Sequence, residues 1–114
     1  MNVILFGWNR SIPGREQLSG QHFDDFVQYL QGLQQGGSIT SFDVVFLNSH
    51  RGDLNGFFII RGEPAQLGAL VSSLEWEKHM TRASLHLEQS GAVGGVTGEA
   101  VAERMKIWQS LLPA

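Results

Sequence analysis

The sequence predicts an α+β domain with the element order βαββαβ and a further helix at its end. Three observations carry that prediction. Strand-like runs at residues 3–8 and 57–60 are apolar on both faces. Helical stripes with a 3.6-residue period separate the strand patterns, the clearest being Phe23, Phe26, Val27, Leu30 and Leu33. Glycine-containing links punctuate the chain at Gly36-Gly37, Gly52, Asn55-Gly56 and Gly91.

Residues 2–8 form the first expected strand, with Val3 and Leu5 on one face and Ile4, Phe6 and Trp8 on the other. A turn through Asn9-Arg10-Ser11-Ile12 leads to Pro13, which suits a first helical turn, and the helix runs to about Gln35. The second strand is expected over 38–48 and the third over 55–61, joined as a hairpin. Its tip holds Arg51-Gly52-Asp53, which matches a cell-attachment signal but reads most simply as a turn. Glu63-Pro64 opens a second helix with Leu67, Leu70, Val71 and Leu74 inward, and Ser72 with Glu75 resembles a capping box that restarts it. The fourth strand is expected over 84–89, followed by a flexible link at Gly91, Gly94 and Gly95. Thr97 is placed as N-cap of a last helix over about 97–112, striped by Val101, Met105, Trp108 and Leu112.

With 114 residues, the chain has room for one domain spanning 1–114. Formal net charge is −3 and no basic run exists, which argues against a nucleic-acid partner. The absence of cysteine removes disulfides, a thiolate nucleophile and thiolate-bound metals. The short apolar run near the start fits neither a signal peptide nor a membrane span, so a cytoplasmic protein without a membrane partner is expected.

The element order gives the ferredoxin-like arrangement: an antiparallel sheet in spatial order 4-1-3-2 with both helices on one face. A lone domain of this kind leaves its second sheet face wet, yet the first and third strands are apolar on both sides. The C-terminal helix or another subunit must cover that face. On the element order, these two-sided strands and the run Leu74-Glu75-Trp76 to Leu85-His86-Leu87, the chain resembles the dimeric α/β-barrel superfamily. The resemblance implies a homodimer packed sheet against sheet. The functions it implies include cofactor-free monooxygenases, isomerases and haem-handling enzymes, for which His79 or His86 would supply an axial ligand.

In that topology the end of the first strand, the hairpin and the start of the fourth strand meet. Trp8, Arg10, His22, His50, Arg51, His79 and Arg82 gather there as candidate ligand-binding residues. With a helix N-terminus beside them they would favour a small anionic or aromatic ligand. His86 and Glu88 are the candidate catalytic pair, a base oriented by a carboxylate, with His86 placed mid-strand facing the dimer barrel. Plain structural roles compete with each: Arg10 and Arg51 as solvated or paired surface charges, Trp8 and Trp76 as core aromatics, His22 as the edge of its helix, His86 as a hydrogen-bonded core histidine. No cofactor and no metal site follows from the sequence. The function expected is proton transfer on, or simple binding of, a small metabolite; the alternatives are an oxygenase or haem-handling enzyme and a non-catalytic interaction protein.

Overall fold

The computed structural model describes residues 1–113. Its main sheet has four antiparallel strands, β1 (Val3–Trp8), β3 (Ser41–Phe46), β4 (Gly56–Arg61) and β6 (Gly91–Gly95), in the order β3-β4-β1-β6. A two-residue strand β2 (Arg10–Ser11) pairs with β5 (Leu87–Glu88) as a separate small ladder. Helices α1 (Glu16–Gln35), α2 (Pro64–Val71) and α3 (Leu74–Ser84) accompany the sheet, and α4 (Glu99–Ser110) follows it. This α+β arrangement is compatible with a ferredoxin-like fold.

Register sorts the side chains. Ile4, Phe6 and Trp8 lie opposite Ile60, Phe58 and Gly56, so these even-numbered residues share a face. Together with Phe26 and Leu30 of α1, Leu67 and Leu70 of α2, and Trp76 and Ala83 of α3 they build the core. Burying that apolar surface is the main force holding helices to sheet. The other face carries Val3, Leu5, Val45, Phe57 and Ile59, which are half-buried, and Val93, which is exposed.

Several boundaries differ from expectation for physical reasons. The expected fourth strand over 84–89 is not in the main sheet: α3 runs through Ser84, and only Leu87 and Glu88 extend, against β2. The sheet edge is instead the glycine-rich β6, paired to β1 from Val3↔Gly95 to Gly7↔Gly91. Glycine weakens a strand and offers no pattern to read, but β1 presents backbone groups that need partners, and an edge tolerates the weakness. The restart of helix is capped by Ser73, whose Oγ accepts the Trp76 N–H at 3.3 Å, not by Ser72 with Glu75. Helix α1 starts at Glu16, after Pro13 rather than on it. Gly98 at φ 68° precedes α4 in the N-cap position given to Thr97.

Helix α4 does not cover the second sheet face. None of its residues is buried, and Val101, Met105 and Trp108 stand 46%, 45% and 57% exposed. The radius of gyration is accordingly 16.1 Å, against about 13 Å for a compact chain of this length.

Candidate functional site

Helix periodicity sets the site. On α1, Ser19, His22 and Phe26 recur at i, i+3 and i+7, and on α3, Trp76, His79 and Ala83 do the same. Where these helices pack, His22 meets His79, its Nε2 lying 3.0 Å from His79 Nδ1 with the ring planes 7° apart. On its other side, His22 Nδ1 lies 2.8 Å from His86 Nε2, the rings nearly perpendicular at 82°. His86 Nδ1 is 2.8 Å from Ser19 Oγ, and Ser19 Oγ is 2.7 Å from Ser11 Oγ. Two serines and three histidines thus form one unbroken hydrogen-bonded chain.

The backbone fixes His86 at its centre. His86 N–H donates to the Ala83 carbonyl at 3.1 Å, and its own carbonyl accepts from Ile12 N–H at 2.8 Å. Arg15 reinforces the same turn by donating to the Leu85 carbonyl. His86 therefore lies in the turn between α3 and β5 and points toward α1. It is not mid-strand facing outward from the sheet.

His22 and His86 are only 4% and 3% exposed. Burial, then the charge of Arg82, then the neighbouring imidazoles hold His22 down to about 4. His86 and His79 are lowered too, by burial first and Arg82 second. All three rings are neutral at pH 7, each with one N–H and one bare nitrogen.

The chain borders a cleft of about 720 Å³. Phe6, Trp8, Phe23, Phe26, Phe46 and Phe58 form its walls, while Ser11, Ser19, His22 and His86 supply a polar side. Gln17, Gln21 and Asp24 also line it. Trp8 lies over Gly56, where a Cβ would come 2.5 Å from its ring, so the wall depends on a glycine at that position. Apolar walls with a few convergent polar groups are the usual make-up of a small-molecule site, and the volume is in the usual range.

Of the residues expected at the site, Trp8, His22 and His86 line the cleft, and His79 joins them through His22. The others are engaged elsewhere. Arg10 Nε pairs with Glu88 at 2.7 Å, so Glu88 does not orient His86; Ser19 occupies that place. Arg82 pairs with Asp25 at 2.9 Å and reaches the histidines only through its charge. His50 stays in the hairpin loop, its Nδ1 accepting Gly52 N–H at 2.9 Å and its Nε2 2.8 Å from the Leu54 carbonyl. Arg51 and Asp53 are exposed beside it, and the Arg-Gly-Asp tripeptide belongs to this loop. Sequence reasoning missed Ser11, Ser19 and Phe46. Ser19 carried a signal, since it stands one turn before His22 on the same helix face.

The histidines do not converge on a common point, because His22 turns different nitrogens to its two neighbours. No group of three metal-binding side chains suited to an ion occurs among the described residues. Haem ligation by His22 or His86 fits poorly as well, because both nitrogens of each ring are hydrogen-bonded. No helix among the described residues is long and apolar enough to cross a membrane. Comparison with protein-family models and with curated proteins gives no match.

Proposed function

We propose that this protein binds a small aromatic metabolite in the cleft between α1 and the sheet, and moves a proton to or from it at His86 and Ser19. One observation carries the reading: six aromatic side chains wall a cleft whose polar side includes two buried imidazoles and two serine hydroxyls, beside Gln17, Gln21 and Asp24. A neutral imidazole keeps one bare nitrogen that can take up a proton, and Ser19 Oγ, 2.8 Å from His86 Nδ1, can hand one on from an acidic O–H in the cleft. No lysine or arginine stands among the described residues of the lining, so the aromatic part of the expectation is favoured over a strongly anionic ligand. Thermal-shift titration with phenol and 2-naphthol, against acetate and succinate, tests the reading. The aromatics should raise the midpoint saturably, with Phe23→Ala weakening the effect; equal silence from all four compounds would refute it. At a hundred times Kd the expected stabilisation is about 2.7 kcal/mol.

We further propose that the working form is a homodimer, with a second copy over the second sheet face, as in a dimeric α/β barrel. Support comes from the half-buried row of Leu5, Phe57 and Ile59, exposed Val93, and an α4 of which no residue is buried. Apolar surface of this extent is normally covered. Sedimentation should give twice the chain mass at micromolar concentration, and Ile59→Lys should give a folded monomer. A wild-type monomer at that concentration would refute the proposal.

A further inference from the structure

Ser11, Ser19, His86, His22 and His79 join two different environments. Ser11, Ser19, His86 and His22 line the cleft, whereas His79 lies outside its lining, half-buried on α3 with its Nε2 unbonded to any described residue. Each contact between neutral imidazoles needs one N–H and one bare nitrogen. The chain therefore has two self-consistent states. In one, every ring carries its proton on Nε2: Ser19 O–H donates to His86 Nδ1, His86 to His22, and His22 to His79. In the other, every ring carries it on Nδ1 and all the bonds run in reverse. A mixture would set two donors or two bare nitrogens against each other at 2.8 or 3.0 Å.

We infer that this chain is a proton relay connecting the cleft to solvent at His79, with Ser19 as its inner port and His22 as its obligatory link. The inference deepens the proposed proton transfer and rests on the cleft being the ligand site. A cleft-bound X–H gives its proton to Ser19 Oγ as the hydroxyl proton passes to His86 Nδ1. His86 Nε2–H then protonates His22 Nδ1, His22 Nε2–H protonates His79 Nδ1, and His79 loses its Nε2 proton to water. X⁻ remains in the cleft, water has gained one proton, and no electron changes hands. Each ring ends in the opposite tautomer, so the next proton must travel inward or the rings must reset by the reverse passage.

The charged groups around the chain are few. Arg82 acts on all three rings, Asp25 on His22 and His79, and Glu75 on His79. Burial and Arg82 disfavour a positive charge on any of the rings; Asp25 and Glu75 offset this only in part at the His79 end, and Asp24 lines the cleft at the other end.

Solvent exchange of the His22 and His86 ring protons, followed by ¹⁵N NMR on the ligand-free full-length chain, tests the relay. Buried protons without a relay exchange only when the fold opens. A relay should make them exchange much faster than the core amides of Phe58 and Ile60. His79→Gln keeps an acceptor for His22 but cannot pass a proton on, and should slow exchange toward the rate of the core amides. Ser19→Ala should close the other port and leave exchange through His79 intact. Ring protons as slow as the core amides in the wild-type chain, or exchange unchanged when Ser19→Ala and His79→Gln are combined, would overturn the relay. Because no ligand is present, failure here leaves the ligand reading standing, and failure to bind phenol or 2-naphthol leaves this result standing.

Discussion

Lowering the pH should destabilise this protein through its histidines before its carboxylates. His22 titrates at about 4 in the folded chain against 6.5 ordinarily. Its folded value is the lower one, so between those limits the unfolded chain binds a proton that the folded chain refuses. The sign follows: His22 costs nothing well above pH 6.5, stability falls as the pH drops toward 4, and the loss levels off below that. At 1.36 kcal/mol per unit, the full loss is roughly 3 kcal/mol. His79 and His86, lowered by the same causes, act in the same direction. Glu16, held down by backbone N–H groups including that of Gly14, contributes only below its ordinary value of 4.5. Urea denaturation between pH 8 and 4.5 at fixed protein concentration is the assay. A roughly 10–20 °C fall in the thermal midpoint over the same range should accompany the loss. Stability that is flat or rises on acidification, or a His22 ring titrating near 6.5, would refute the reasoning.

Other expectations follow from single contacts. Phe58→Ala removes a ring packed against Phe6, Trp8, Phe23 and Phe26 and should cost about 3–5 kcal/mol by urea denaturation. Arg10→Ala, which breaks a largely exposed pair with Glu88, should leave the urea midpoint nearly unchanged and the His86 ring ¹⁵N shifts in place. Gly56→Ala drives a methyl into the Trp8 ring and should weaken 2-naphthol binding, read by titration calorimetry, at a stability cost of about 1–3 kcal/mol.

Strands β1, β3 and β4, helix α1 and the return of the chain through two helices were legible because hydrophobic period and turn residues agree there. The edge strand β6 was not. Its sequence Gly-Ala-Val-Gly-Gly has almost no side-chain pattern, and its conformation is imposed by pairing with β1. Topology also brought His22, His79 and His86 to one end of the sheet in the sequence reading. What it could not give was the end of α3 at Ser84, which leaves His86 in a turn that aims it at Ser19 and away from Glu88. The arginines misled for a related reason: charge at strand ends reads as a ligand site until its carboxylate partners, Glu88 and Asp25, are located. The apolar residues of the second sheet face, Leu5, Phe57 and Ile59 among them, were legible from strands apolar on both sides, and no residue of α4 is buried.

The central claim is that the aromatic cleft takes its ligand against the buried histidines. Histidine ring spectra during a 2-naphthol titration test it most directly. The His22 and His86 signals should move together and saturate, with His50 in its loop unmoved. Saturable movement of His50 alone, or no histidine movement while 2-naphthol demonstrably binds, would contradict it.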